Sequence, residues 1–253
     1  MFKIFFGEGL VPHYLLASLE SNTAYAIWFG VCTLVAAVCA YLLGSLNFAI
    51  IISAKQYRQD IRNFGSKNAG MTNMMRTYGK TAAALTLIGD ALKAVVACLI
   101  GYALLGQLGC YIAGLFSVIG HIFPLYYRFK GGKGVVTAGI TILMCNPIVF
   151  LILITLFLLL VLLTRYISLG SVMCMMLFPI VLNGVECSPF FHTDPPPVSP
   201  YILFATLIML FVVIKHTENI RRLLKGTENK FSFKKSVKRP PAEAAGTERE
   251  KKS

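Results

Sequence analysis

SNTAYAIWFGVCTLVAAVCAYLLGSLNFAIIISA, residues 21–54, runs for 34 positions without an acidic, basic or histidine side chain. A helix that crosses the hydrocarbon core of a bilayer needs about 20 predominantly apolar residues. The segment therefore predicts a membrane-spanning helix with one end in the interface. Composition agrees, because AVILMFWYC residues make up 56% of the 253 residues and charged residues only 14%.

Other apolar segments predict six more spans. A single helix over residues 134–164 would be about 46 Å long, more than the ~30 Å hydrocarbon core. Near its middle, Asn146-Pro147 can turn the chain, because proline removes a backbone donor. We therefore predict two short spans there. The remaining predicted spans are residues 82–105, 109–127, 167–186 and 201–214.

The basic residues support this division, because short cytoplasmic loops are enriched in Lys and Arg. With an external N-terminus, the cytoplasmic segments hold all but Lys3 and Lys93 of the 24 basic residues. These segments are residues 55–80, 128–133, 165 and 215–253. The sequence thus predicts an all-α integral membrane protein with seven transmembrane helices, an external N-terminus and a cytoplasmic C-terminus.

The chain divides by composition into three parts. Residues 1–20 lack the pattern of a cleaved signal peptide and are taken as an N-terminal extension. Residues 21–230 form the predicted membrane domain, and residues 231–253, rich in Lys, Glu, Ala and Pro, a disordered basic cytoplasmic tail. The net charge of +13 does not indicate nucleic acid, because long stretches carry no basic residue. The seven cysteines lack metal-ligand spacing, so no metal site is expected.

The first predicted cytoplasmic loop reads DIRNFGSKNAGMTNMMR, residues 60–76. It combines glycines, which allow close backbone approach, with hydroxyl and amide groups and two arginines suited to bidentate phosphate contacts. An ordinary turn with positive-inside charge remains the alternative interpretation. The candidate binding residues here are Arg62, Ser66, Asn68, Thr72, Asn73 and Arg76.

The second loop, FKGGKGVVT, residues 129–137, opens a helix with glycines around two lysines. Free backbone N–H groups at a helix N-terminus favour anions. A glycine-rich turn without a ligand is the alternative. The candidates are Lys130, Gly131, Gly132, Lys133 and Gly134. Lys93 and Asp90 share a helix face inside a predicted span, where they either neutralise each other or contact substrate.

Histidines lie at two predicted cytoplasmic boundaries. His121 precedes the second loop, and His216 opens the third, KHTENIRRLLKGTE, residues 215–228. If that segment is helical, His216 and Asn219 share one face, and Glu228 can pair with an arginine. Three polar loops on one side of the membrane predict a single composite site.

These motifs resemble a known family, the bacterial acyl-phosphate:glycerol-3-phosphate acyltransferases, or PlsY family. The similarity lies in GSLNF (44–48) with residues 60–76, HIFP (121–124) with 129–137, RYISLGS (165–171), and 216–228. The resemblance implies a seven-span fold whose active site faces the cytoplasm of the bacterial inner membrane. It also implies transfer of an acyl group from acyl phosphate to the 1-hydroxyl of glycerol 3-phosphate, giving lysophosphatidic acid.

The resemblance also implies roles for individual residues. Catalytic roles fall to Ser66, Arg76, Lys133, His216 and Asn219. The other candidates above, with Ser168 and Ser171, fall to substrate binding, and Glu228 to a structural role. Lys67 replaces the family's usual small residue. The resemblance implies no cofactor. It also implies functional contact with membrane lipid and with the enzymes that form acyl phosphate and that acylate lysophosphatidate.

Direct transfer is the expected mechanism, because acyl phosphate is already activated and no Ser-His-Asp order or H-x-x-x-x-D motif is present. Ser66 would then bind rather than attack. Two other classes remain open: a small-anion transporter using the Gly-Lys turns and the Asp90–Lys93 pair, and a non-catalytic scaffold that uses the basic tail.

Overall fold

The computed structural model describes residues 22–191 and 196–231, and within these ranges all regular structure is helical. The predicted N-terminal extension, and all of the predicted tail except residue 231, lie outside the described residues. The helices are α1 (Asn22–Gly44), α2 (Phe48–Tyr57), α3 (Met71–Tyr78), α4 (Lys80–Ile122), α5 (Val135–Cys145), α6 (Pro147–Thr164), α7 (Ile167–Glu186), α8 (Ile202–Lys215) and α9 (Thr217–Leu224), with short 3-10 turns at Ile61–Asn63 and Leu125–Tyr127.

Several of these helices are long and apolar enough to cross a membrane. In the described part of the chain there are four such segments, or five if α8 and α9, which meet at a bend of 59°, form one broken span. Their outer surfaces carry many exposed large apolar side chains, such as Leu34, Leu92, Leu151 and Leu162. An apolar exterior of this kind suits a lipid environment.

The first predicted span is broken, because α1 ends at Gly44 and α2 begins at Phe48. A break frees backbone carbonyls, and in an apolar environment each of them needs a donor. The Lys93 ammonium of α4 donates to the carbonyls of Gly44 and Leu46, at 2.9 and 2.6 Å. Asn47 caps α2 by accepting a hydrogen bond from the Ile50 N–H.

Helix α4 is a hairpin of two antiparallel arms. The backbone leaves helical geometry at Leu105 and Gly106, and Gly106 has a φ of 62°, which favours glycine. Beyond this turn the second arm packs on the first, so that a side chain at Gly101 would collide with the backbone of Gly109. The hairpin turn lies at the boundary predicted between residues 82–105 and 109–127.

The predicted break within residues 134–164 is confirmed, since two separate helices form there. α5 ends at Cys145, and α6 begins at Pro147, whose missing N–H is tolerated in the first turn of a helix. The Asn146 side chain caps α6 by accepting a hydrogen bond from the Val149 N–H at 3.2 Å. The 11 residues of α5 make a helix about 16 Å long, roughly half of a bilayer core.

Candidate active site

A cavity of about 370 Å³ opens where the three polar loops meet α5, α6 and α7. Its polar end is formed by side chains of all three loops, and its other end is apolar. The polar wall residues are Ser66, Asn68, Thr72, Asn73, Arg76, Asp90, His121, Lys133, Ser168, Ser171, Asn219, Arg222, Glu228 and Asn229. The apolar wall includes Leu87, Val135, Val136, Ile140, Ile142, Phe150, Leu153, Ile154, Phe157 and Met175.

The first loop is shaped by the Asn73 side chain, which is buried and uses both ends of its amide. Its nitrogen donates to the carbonyls of Phe64 and Asn68, at 2.9 and 3.0 Å, and its oxygen accepts from the Ser66 N–H at 2.9 Å. Asn73 thereby fixes the backbone that presents Ser66, Asn68 and Arg76 to the cavity. Its amide acts on the loop's own backbone groups.

The glycines of the second loop allow this loop to pack against the end of α4. The N–H groups of Gly131 and Gly132 donate to the carbonyls of Ile122 and His121, at 3.3 and 3.1 Å. A side chain at Gly132 would collide with the His121 ring. These two N–H groups are therefore used within the protein, whereas the first-turn N–H groups of α5 have no partner within their own helix. Val135 and Val136 of this turn line the cavity.

Glu228 ties the third loop to α7. Its carboxylate accepts hydrogen bonds from Ser168 Oγ at 2.9 Å, Asn219 Nδ2 at 2.7 Å and Arg222 Nε at 2.7 Å. The Asn219 amide oxygen in turn accepts a hydrogen bond from the Lys133 ammonium. Asn219 and Glu228 thus link Lys133 of the second loop to Arg222 of the third.

Burial changes the acidity of the groups at this polar end. It lowers the pKa of Lys133 to about 8, with Glu228 acting in the opposite direction and the charges of Arg222 and Arg76 acting in the same direction. Burial also lowers the pKa of Arg76. The pKa of Glu228 lies below its ordinary value, because hydrogen bonds from Arg222, Asn219 and Ser168 outweigh the effect of burial.

Asp90, Lys93 and His121 form a buried cluster behind the first and second loops. Lys93 Nζ lies 2.8 Å from Asp90 Oδ1 and 2.9 Å from His121 Nδ1. Asp90 and His121 reach the cavity wall, whereas Lys93 does not. Because the Lys93 ammonium also holds the carbonyls at the α1–α2 break, it connects that break to the wall of the site.

Several predicted site residues lie outside the cavity wall. Arg62 pairs with Asp60 at 2.6 Å and donates to the carbonyls of Tyr127 and Lys130, at 3.1 and 3.0 Å, so it joins the first loop to the second. The Lys130 side chain is exposed. Gly131, Gly132 and Gly134 act through the backbone, and Gly134 begins α5 with a φ of 79°.

His216 is buried at the bend between α8 and α9 and is also absent from the wall. Its Nδ1–H donates to the Val212 carbonyl at 2.7 Å. The bend turns α9 so that Asn219, three residues later, enters the cavity. His216 therefore does not line the cavity itself but lies at the bend that brings Asn219 to it.

The sequence did not single out Arg222 or the apolar wall of the cavity. Arg222 follows Asn219 by three residues on the same helix, a spacing that places both on one face and that could have identified it. The apolar wall had no such signal, because Phe150, Ile154 and Phe157 lie in an unbroken apolar stretch. A helix that faces lipid would have the same pattern.

The arrangement can hold an anionic group beside an apolar chain. Lys133, Arg76 and Arg222 supply positive charge, and the α5 N-terminus supplies backbone donors. Within the described residues, no group of three His, Cys, Asp or Glu side chains is placed to hold a metal ion.

Known proteins are similar to this chain in sequence and in fold. A sequence model of the family described as Glycerol-3-phosphate acyltransferase matches residues 34–226. The glycerol-3-phosphate acyltransferase of Finegoldia magna is 38% identical over 211 residues, covering 83% of this chain and 98% of that protein. That of Clostridioides difficile is 40% identical over 208 residues, covering 80% and 97%.

Two solved structures are also similar, both of PlsY (YgiH), an integral membrane glycerol 3-phosphate acyltransferase. The glycerol 3-phosphate form is 35% identical with a TM-score of 0.69, covering 79% of this chain and 96% of that one. The lysophosphatidic acid form is 33% identical with a TM-score of 0.67, covering 79% and 95%. The chain therefore belongs to the glycerol-3-phosphate acyltransferase family, as a PlsY-type multi-pass membrane enzyme of phospholipid synthesis.

Proposed function

We propose that this enzyme transfers a fatty acyl group from acyl phosphate to the 1-hydroxyl of glycerol 3-phosphate and forms lysophosphatidic acid. One observation carries the proposal: a single cavity joins a cationic polar end, built by three loops, to an apolar arm between α5, α6 and α7. Acyl phosphate has this same polarity, a charged phosphate on an apolar chain. The solved PlsY structures in glycerol 3-phosphate and lysophosphatidic acid forms support it.

The polar end suits two phosphate groups. Lys133 and Arg76 would neutralise them, and Ser66 Oγ, Asn68, Thr72 and the α5 N-terminus would donate hydrogen bonds. Asn219 holds the Lys133 ammonium in place, and Ser168 and Ser171 line the wall on the α7 side. Such preorganised donors stabilise charge that develops in the transition state.

In the proposed step, the 1-hydroxyl oxygen of glycerol 3-phosphate attacks the acyl carbon. The new ester C–O bond forms while the C–O bond to phosphate breaks, and the hydroxyl proton leaves with the departing orthophosphate. The protein contributes orientation and charge neutralisation, which together can supply a large part of the acceleration. The step needs no acyl-enzyme, so Ser66 serves as a hydrogen-bond donor.

We propose seven crossings with an external N-terminus: α1 with α2, the two arms of α4, α5, α6, α7 and α8. This places the three loops and α9 on the cytoplasmic face of the bacterial inner membrane. The charge distribution supports it, because the basic residues outside the helices cluster on the side that these loops share. Acyl phosphate would then arrive from a cytoplasmic enzyme, and lysophosphatidic acid would pass to a membrane acyltransferase.

The test is acyl transfer from palmitoyl phosphate to labelled glycerol 3-phosphate by the purified protein. We expect lysophosphatidic acid from the wild type and a loss of at least about 100-fold in Lys133→Ala, a magnitude typical for removal of one transition-state donor. Lys225→Ala is the matched control, since Lys225 is exposed beyond α9. Transfer from palmitoyl-CoA but not from palmitoyl phosphate by folded protein would contradict the proposed donor.

A further inference from the structure

One residue beside the apolar part of the cavity, Gly139, has no side chain. This glycine lies in the middle of α5 and lines the cavity. A Cβ added there would meet no other heavy atom within 4 Å, so a side chain would enter open space at a position that borders the cavity. Glycine weakens a helix interior relative to alanine, and neither a turn nor a positive φ requires it here.

The neighbouring residues define what occupies this space. Gly139 lies four residues beyond Val135, or about 6 Å along α5 from the polar end. Ile154 and Phe157 of α6 and Met175 of α7 line the same cavity. Beyond its first few carbons, an acyl chain whose phosphate sits at the α5 N-terminus would therefore run past Gly139.

The cavity wall also includes a residue of the outer surface. Leu87 of α4 is part of the cavity wall and is 39% exposed. At Leu87 the cavity wall is thus partly shared with the apolar outer surface.

We propose that Gly139 is the specificity-determining residue for the acyl donor: its missing side chain leaves the width that a long acyl chain needs to pass from the phosphate site into the apolar arm. The inference rests on the proposed acyl-phosphate chemistry. A side chain at residue 139 would exclude long chains and leave chains of about four carbons, which end before it. Enlarging the residue therefore shifts the donor preference from long to short acyl phosphates.

The experiment compares butyryl, octanoyl and palmitoyl phosphate with the wild type, Gly139→Ala and Gly139→Leu. We expect the palmitoyl-to-butyryl ratio of kcat/KM to fall at least about tenfold in Gly139→Leu, since a single methylene in an apolar site can discriminate by that factor. Gly139→Ala should fall between. Gly184→Leu is the matched control, because Gly184 lies in α7, away from the cavity, and also has no atom within 4 Å of an added Cβ.

A second readout reports occupancy without turnover. Gly139→Cys should react with a maleimide, identified by peptide mass spectrometry, and a non-hydrolysable palmitoyl phosphonate should protect it at least fivefold. Gly184→Cys should react equally with and without the phosphonate. Equal loss of all three donors in Gly139→Leu, an unchanged ratio, or no protection of Cys at residue 139 would overturn the proposal. If the wild type transfers no acyl group from any acyl phosphate, the proposed function fails instead. The labelling experiment still reports whether the apolar arm binds the acyl chain.

Discussion

The ionisation of Lys133 predicts how activity depends on pH. Burial lowers the pKa of this ammonium to about 8, so the charged form exists below that pH and is lost above it. Only the charged form neutralises phosphate. About nine tenths of the lysine is charged at pH 7 and about one tenth at pH 9. We therefore expect kcat/KM for glycerol 3-phosphate to fall about tenfold for each pH unit well above 8.

The assay is the initial rate at subsaturating glycerol 3-phosphate between pH 6.5 and 9.5, because kcat/KM reports groups of the free enzyme. In Lys133→Arg the guanidinium stays charged throughout this range, so the alkaline fall should disappear even if the maximal rate is lower. Glu228→Gln should move the fall to lower pH, since the Glu228 charge raises the pKa of Lys133. An unchanged fall near pH 8 in Lys133→Arg would refute the assignment.

Three further predictions concern the packing around the site. Glu228→Gln removes the charge from an acceptor of three hydrogen bonds whose side chain is 7% exposed. We expect the free energy of unfolding to fall by about 2 kcal/mol and the melting temperature in detergent by about 4–8 °C. A shift in melting temperature below 1 °C would contradict this. Arg62→Ala removes the donor to two carbonyls of the second loop. Activity should therefore fall at least about tenfold while the melting temperature changes little. Unchanged activity would show that the first and second loops hold their positions without Arg62. Gly132→Ala forces a methyl group against the His121 ring and should abolish activity, whereas Gly184→Ala should leave activity within twofold, and equal activities would refute the proposed close packing.

Local chemistry made part of this fold predictable. Asn146-Pro147 combines a capping side chain with a missing donor, so the break falls at that dipeptide. The turn at Gly106 falls at the boundary predicted between residues 82–105 and 109–127, although glycine alone is a weak signal because it is common in membrane helices. The break at 45–47 was missed because its freed carbonyls are satisfied by Lys93, a partner nearly 50 residues away.

The candidate site was likewise predictable only in part. Polar residues clustered in loops led to Ser66, Arg76, Lys133 and Asn219, because each motif carries a dense local pattern. Sequence could not tell that Arg62 would bind backbone carbonyls instead of facing the cavity. That choice depends on how two distant loops meet.

The most direct test of the account is a single-turnover measurement of orthophosphate release. Enzyme in excess over palmitoyl phosphate is mixed with or without glycerol 3-phosphate, and orthophosphate and lysophosphatidic acid are followed together. Direct transfer within one cavity predicts no rapid orthophosphate release without glycerol 3-phosphate, and one orthophosphate per lysophosphatidic acid at the same rate when it is present. A burst of orthophosphate without the acceptor, with an acyl group left on the protein, would contradict direct transfer.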